Sequence, residues 1–157
     1  MTPLDLRALV KGLNDHAVRF VVIGGVAVAA HGYVRATEDL DLVPDPDRDN
    51  LRRLGNALVA LGATLPLAGG RPYSPARDSA QLARGRNITV ETRHGSLDVV
   101  QRLPGVPSFS ELGRDAVESD LLGVPVAICS LRHLRRMKEA RGGTQDAADL
   151  ERLPTCA

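Results

Sequence analysis

The chain has 157 residues with 20 basic and 19 acidic side chains, a net charge of +1, and 43% hydrophobic residues. This composition is typical of a soluble globular domain and excludes disordered and fibrous proteins, so any affinity for nucleic acid would have to come from a local basic patch. The apolar runs are shorter than the roughly 20 residues that span a bilayer, and the two cysteines and four histidines lack zinc-site spacing, so we expect one cytoplasmic domain over residues 1–157.

Helices and strands alternate in the first half of the chain. The predicted elements are a helix over the first fifteen residues, a strand at 20–23, a helix at 26–32, a strand at 38–43 and a helix at 48–61. Asp47 is predicted to cap the last of these helices. Residues 64–80 are rich in Gly, Pro and Ser, and they are predicted to be irregular.

Short strands and two closing helices are predicted in the second half. The elements are strands at 87–92 and 96–100, a loop with a helical turn at 104–113, a strand pair at 115–128 turning at Gly123, and helices at about 130–141 and 145–153. Together the two halves predict an α/β (α+β) domain with a small mixed sheet flanked by helices. The short helical pair over 130–153 is expected to pack on that sheet.

Two glycines and two alternating acids are close together in the stretch RFVVIGGVAVAAHGYVRATEDLDLV. Gly24 and Gly25 open the second helix, whose first N–H groups favour an anion such as phosphate. Asp39 and Asp41 flank Leu40, and strand alternation places both carboxylates on one side. Paired carboxylates repel each other, and a hard cation such as Mg²⁺ is the usual reason for holding them together. The pattern predicts a metal and a phosphate in one cleft.

A third acid, Asp98, lies in the otherwise apolar run SLDVV. If this strand neighbours the strand of Asp39 and Asp41, three carboxylates converge. Such a trio can hold two divalent ions that bridge a triphosphate and activate an attacking hydroxyl. Asp98 would also be placed to accept the proton of that hydroxyl.

Further charged and polar residues are candidates for the same cleft. Arg35 and Thr37 precede the second strand, where they either contact phosphates or fix the loop. Lys138 extends the apolar stripe of its helix, so its ammonium points inward or along a cleft edge. It either neutralises triphosphate charge or forms a structural ion pair with Asp146. Tyr73 could stack on a base.

Three arginines of the Lys138 helix are predicted to lie on its opposite face. These are Arg132, Arg135 and Arg136. Such a face is most often solvated, although it could contact an RNA backbone.

The order Gly-Gly, thirteen residues, Asp-Leu-Asp and a later strand Asp resembles the nucleotidyltransferase superfamily typified by DNA polymerase beta. The stretches RATEDLDLV and RRMKEARGGTQDAADLERL resemble the minimal bacterial nucleotidyltransferases, including those of toxin–antitoxin and abortive-infection modules. The resemblance covers residues 17–153. It implies that Gly24 and Gly25 hold the nucleotide phosphates, that Asp39 and Asp41 bind metal, and that Asp98 completes the triad. Many members have Ser at the position of Gly25, so one hydroxyl contact to phosphate is absent here.

This resemblance implies transfer of a nucleoside monophosphate from an NTP such as ATP to a hydroxyl acceptor, with release of pyrophosphate. The implied cofactor is Mg²⁺, two ions, with Mn²⁺ as the alternative. Asp39, Asp41, Asp98 and Lys138 are the predicted catalytic residues, and Gly24, Gly25, Arg35, Thr37 and Lys138 are the predicted nucleotide-binding residues.

The acceptor stays open between an RNA 3′ end such as tRNA, a protein side chain and a small molecule such as an aminoglycoside. The resemblance favours a toxin-like enzyme with a cognate antitoxin, and neither a membrane nor duplex DNA is an expected partner. The rival interpretation is a non-catalytic, antitoxin-like binding or regulatory protein with the same fold. Retention of all three carboxylates argues against that rival.

Overall fold

A computed structural model describes residues 2–156, leaving Met1 and Ala157 of the predicted domain outside the described part. Within it the helices are α1 (Leu6–Asp15), α2 (Gly24–Ala30), α3 (Arg48–Ala60), α4 (Pro75–Ala83), α5 (Phe109–Asp115), α6 (Leu131–Arg141) and α7 (Thr144–Arg152). The strands are β1 (Phe20–Ile23), β2 (Asp39–Pro44), β3 (Thr64–Leu65), β4 (Arg71–Pro72), β5 (Ile88–Thr92), β6 (Gly95–Val99), β7 (Val117–Leu121) and β8 (Val124–Ile128). Over residues 2–156, no helix has both the length and the apolar character to span a bilayer.

The eight strands form one mixed sheet in the order β4-β3-β5-β6-β2-β1-β8-β7. At its centre, β2 pairs in parallel with β6 and antiparallel with β1. The hairpin of β5 and β6 continues the sheet on one side, and β8 pairs in parallel with β1 on the other. The predicted fold class, a mixed sheet flanked by helices, is confirmed.

Alternation along the two central strands separates an apolar face from an acidic one. The apolar face of β2 and β6 consists of residues that are at most 1% exposed, namely Leu40, Leu42, Leu97 and Val99. Asp41 and Asp98 lie between them in sequence, and both are only half-buried. Since successive strand residues point to opposite faces, the buried leucines fix the direction of the acids.

The segment 64–80 differs from the prediction of irregular structure. It contains β3, a 3₁₀ turn, β4 and α4. Pro75 is the first residue of α4, where the missing N–H of proline would have no helical partner anyway. One of the prolines behind the prediction of irregular structure therefore begins a helix.

Tyr73 lies inside the molecule and not in a cleft. Its ring is 4% exposed, and its hydroxyl lies 3.1 Å from the position that a Cβ on Gly55 of α3 would take. The interpretation of Tyr73 as a base-stacking residue is wrong, because α3 covers it.

Candidate metal and nucleotide site

The sheet register brings three carboxylates together at the centre of the molecule. Asp41 on β2 is directly opposite Asp98 on β6, and Asp39 lies two residues earlier on the same face. One carboxylate oxygen from each residue lies within 4.8 Å of the other two. We call Asp39, Asp41 and Asp98 the acid triad.

The negative charge of the acid triad is poorly compensated by the protein. Burial, together with the nearby charges of Asp39 and Asp98, raises the pKa of Asp41 to about 7. Burial and the charge of Asp98 also raise the pKa of Asp39 above its usual range. Both shifts show that holding these carboxylates ionised in one place costs free energy.

The donor set of the acid triad fits a hard divalent cation. All three side chains offer oxygen ligands, which Mg²⁺ and Mn²⁺ prefer, and the raised pKa of Asp41 is the response expected when no cation balances the charge. The residues therefore fit the predicted metal.

Gly24 is required by the close approach of the acid triad. Its φ of +71° lies in the left-handed region, and a Cβ at this position would overlap the carboxylate of Asp41. At Gly25 a Cβ would lie 2.8 Å from the hydroxyl of Thr37. The Gly-Gly pair thus lets the start of α2 lie directly against Asp41 and Thr37.

A hydroxyl not singled out in the sequence also contacts the acid triad. Thr89 on β5 donates a hydrogen bond to Oδ1 of Asp98 at 2.6 Å. Thr89 and Asp98 are paired residues of the β5–β6 hairpin. The predicted turn at 93–95 would have placed Val90 opposite Asp98; Gly95 instead pairs with Thr92, and this shift of one residue brings Thr89 opposite Asp98.

Arg35 and Lys138 are held by carboxylates of α7. The guanidinium of Arg35 donates to both oxygens of Asp149, at 2.8 and 2.9 Å. The ammonium of Lys138 lies 3.2 Å from Asp146 and 2.9 Å from Asp149. Burial raises the pKa of Asp149, but hydrogen bonds from Arg35, Lys138 and Gln145 outweigh that effect and lower it to about 2.

We call Arg35, Lys138, Asp146 and Asp149 the ion-pair cluster. It contains the Lys138–Asp146 pair that the sequence left as a structural alternative, while Lys138 and Arg35 still line the cleft. Asp149 was not identified from the sequence, although it follows Asp146 by three residues and so lies on the same face of α7.

The predicted solvated face of α6 is wrong for Arg135. Its guanidinium donates to the carbonyl oxygens of Leu150 and Pro154, both at 3.2 Å, near the end of α7. Packing of α7 against α6 leaves this residue half-buried. Arg132 pairs with Asp115 at the surface, and Arg136 is exposed.

A cleft of about 910 Å³ joins the acid triad to the ion-pair cluster. Gly24, Gly25 and Thr37 line it together with the three acids and Lys138. Its volume lies within the range of pockets that hold nucleotide-sized ligands. The structure thus brings the predicted catalytic, metal-binding and nucleotide-binding residues to one cleft, and Tyr73 alone of the candidates for this cleft lies outside it.

The fold is similar to those of nucleotidyltransferases at low sequence identity. A protein from Thermotoga maritima, provisionally assigned as a nucleotidyltransferase, has a TM-score of 0.58 and 13% identity, over 94% of this chain and 88% of that chain. The aminoglycoside nucleotidyltransferase ANT(2″)-Ia, solved with adenylyl-2″-tobramycin, has a TM-score of 0.57 and 12% identity, over 93% of this chain and 83% of that chain. No family model and no curated protein sequence matches the chain. These likenesses show a nucleotidyltransferase fold, and the reaction must be argued from the site.

Proposed function

We propose that the protein transfers a nucleoside monophosphate from an NTP, such as ATP, to a hydroxyl acceptor and releases pyrophosphate. The observation that carries the proposal is the acid triad, whose charge the protein compensates only in part, in a nucleotide-sized cleft. The shared fold of known nucleotidyltransferases supports the same reaction.

The acid triad would hold the divalent ions. We propose two Mg²⁺ ions, with Mn²⁺ as the alternative, bound by Asp39, Asp41 and Asp98. When bound, such ions neutralise the triphosphate and stabilise charge on the reacting oxygens.

The nucleotide would lie on the α2 side of the acid triad. Gly24 and Gly25 give backbone access there. The Thr37 hydroxyl fills the space beside Gly25 and donates to the Asp39 carbonyl at 3.2 Å; turned from that carbonyl, it can supply the phosphate contact that a Ser would make. Arg35 borders the same space: its guanidinium lies 3.4 Å from the Cβ position of Gly25.

Lys138 acts in this proposal together with its neighbours. Arg141 joins the ion-pair cluster through Asp146 at 3.4 Å and is 74% exposed. The cluster then has three positive charges and the two negative charges of Asp146 and Asp149. One positive charge is therefore left for the triphosphate. Lys138 is 6% exposed. In this proposal it therefore contributes its positive charge to the cluster and holds Asp146 in position.

The protein's own chemistry in the transfer is positioning and proton acceptance. The acceptor hydroxyl gives its proton to Asp98 while its oxygen bonds to the α-phosphorus. The bond from the α-phosphorus to the bridging oxygen breaks, and pyrophosphate leaves with the electron pair. Thr89 occupies Oδ1 of Asp98, which leaves the other oxygen for the proton.

Calorimetric titration with a non-hydrolysable NTP tests the proposal. Binding should require Mg²⁺ and disappear with EDTA, and equal affinity without divalent ions would refute the metal-dependent site. With an NTP labelled at the α-phosphate, Asp98→Asn should lower transfer by about a hundredfold while the protein stays folded. Transfer at the wild-type rate would leave Asp98 a structural residue.

The toxin role is proposed from the sequence resemblance alone. Expression of the wild-type chain should then arrest growth of a bacterial host, Asp98→Asn should not, and co-expression of the cognate antitoxin should restore growth. Growth unaffected by the active enzyme would contradict this role. NTP binding without any transfer would instead favour the antitoxin-like binding protein.

A further inference from the structure

A pocket of about 560 Å³ beside the cleft is lined by three exposed arginines, Arg84, Arg86 and Arg102. Within residues 2–156, none of these three side chains forms an ion pair with a carboxylate. Gly85 and Asn87 complete the wall. Three like charges grouped without an acid repel one another, and an anion would relieve that repulsion.

The loops that carry the arginines are tied together by two amide side chains. Oδ1 of Asn87 accepts the N–H groups of Gln101 at 2.7 Å and Arg102 at 2.9 Å, and its Nδ2 donates to the Arg102 carbonyl at 2.7 Å. Gln101 donates in turn to the carbonyls of Leu82 and Arg86. The backbone that presents the arginines is therefore preorganised by contacts that involve no charge.

The arginine pocket opens on the Asp98 side of the acid triad. Asn87 lines both the pocket and the cleft. Thr89, which contacts Asp98, is two residues further along, or about 7 Å from Asn87 in an extended strand. The proposed nucleotide side, at Gly24 and Arg35, is across the triad. Attacking and leaving oxygens are roughly in line during phosphoryl transfer, so the acceptor must enter opposite the pyrophosphate.

Building on the proposed function, we infer that the acceptor is a phosphate-bearing molecule whose phosphate binds Arg84, Arg86 and Arg102 while its hydroxyl reaches Asp98. Arginine suits this role because its planar fork can bind phosphate oxygens in pairs. The source of the phosphate is an oligonucleotide backbone or a small phosphorylated molecule. A cationic acceptor, such as the tobramycin of the ANT(2″)-Ia complex, would instead meet three guanidinium groups.

The test compares two triple variants with the same change of charge. The first is Arg84→Gln, Arg86→Gln and Arg102→Gln. The control is Arg48→Gln, Arg52→Gln and Arg114→Gln, exposed positions that line neither the pocket nor the cleft. Anisotropy of a fluorescent single-stranded RNA oligonucleotide is measured without NTP at several salt concentrations. Unlabelled RNA strands of increasing length, adenosine 5′-monophosphate and unphosphorylated adenosine serve as competitors.

The pocket triple should bind the oligonucleotide about tenfold more weakly or worse, with a salt slope reduced by about 2, as loss of three phosphate contacts implies. The control triple should bind like the wild-type protein. Competition only by longer strands would assign the phosphate to a nucleic acid, and equal competition by the monophosphate would assign it to a small molecule; adenosine should not compete in either case.

Equal losses in the two triples would overturn the inference, as would labelling of an aminoglycoside in preference to every phosphate-bearing acceptor. That second result would leave nucleotidyl transfer intact. Conversely, oligonucleotide binding that depends on the pocket, in a protein that transfers nothing, would refute the proposed function and leave the phosphate site standing.

Discussion

Two groups of carboxylates in this protein differ in what balances their charge. The ion-pair cluster contains its own cations, and the pKa of Asp149 falls to about 2. In the acid triad, burial and the neighbouring acids raise the pKa of Asp41 to about 7, and the charge of Arg141 opposes them only in part. The first group is complete within the chain, whereas the second costs free energy until a cation arrives. The comparison teaches that a ligand site can be recognised by a charge that the fold leaves unbalanced.

Asp41→Asn should give the largest effect and the sharpest contrast. Loss of one ligand should reduce metal-dependent transfer by about a thousandfold, the scale of several kcal/mol of charge stabilisation. In EDTA at pH 8 the same variant should melt higher than the wild-type protein, because one repelling charge is gone. Asp120→Asn, on exposed β7, is the control for both measurements. A lower melting temperature of the variant in EDTA would show that the Asp41 carboxylate stabilises the metal-free protein.

Asp149→Asn should act on stability in the opposite direction. It leaves Arg35 and Lys138 without their shared counter-charge, so we expect the free energy of unfolding to fall by about 3 kcal/mol. Urea denaturation measures the loss, and Asp49→Asn, at an exposed position of α3, should change the free energy of unfolding by less than about 0.5 kcal/mol. A change at Asp149 no larger than at Asp49 would mean that the ion-pair cluster contributes nothing to stability.

The two groups should also titrate in separate pH ranges. Because the pKa of Asp41 is raised from 3.8 to about 7, metal must displace its proton below pH 7, and Mg²⁺ affinity should fall by about tenfold per pH unit there. The metal-free fold should lose stability as the pH rises from about 4 through 7, since the ionised form is disfavoured in the folded state. Melting temperatures in EDTA and calorimetry at pH 5.5 to 8 check both trends, and a pH-independent Mg²⁺ affinity would contradict them.

The depressed pKa of Asp149 has the opposite sign. Its contribution to stability should be fully present above the unfolded value of about 4 and should be lost as the pH falls toward about 2. Acid denaturation of Asp149→Asn beside the wild-type protein isolates this contribution. Parallel acid curves with a constant offset would mean that Asp149 does not titrate in this range.

Arg135 and Arg136 should give the smallest effect. Arg135→Gln removes two hydrogen bonds to carbonyls near the end of α7 and should lower the free energy of unfolding by about 1 kcal/mol. Arg136→Gln, one residue further on the exposed face of the same helix, should change it by less than about 0.5 kcal/mol. Equal effects would mean that the contacts of Arg135 with α7 are not stabilising.

The acid triad could be anticipated because strand alternation is a local property. Asp39 and Asp41 share a face in any strand that contains them, and only the pairing of β2 with β6 was needed to add Asp98. The predicted strands at 20–23 and 38–43 lie within one or two residues of β1 and β2. Local periodicity therefore predicts most of the residues of the site.

The contacts that could not be predicted join elements that lie far apart in the sequence. The partner of Arg35 is Asp149, 114 positions later, and no periodicity connects them. Arg135 was assigned to a solvated face because its helix was considered without α7. Residues 64–80 were predicted to be irregular partly from their prolines, because a proline at the first position of a helix and a proline in a loop are alike in sequence.

The strands that carry the acid triad, β6 and β2, are the fourth and fifth of the eight strands in the sheet. This central position determines when the three carboxylates separate. Local fluctuations open a sheet from its margins, so amide protons of β4 and β7 should exchange with solvent deuterium first. Those of β2 and β6 have hydrogen-bonded neighbours on both sides and should exchange only when the whole sheet opens. A bound ion would therefore persist through partial openings of the molecule, and its release would report on unfolding as a whole.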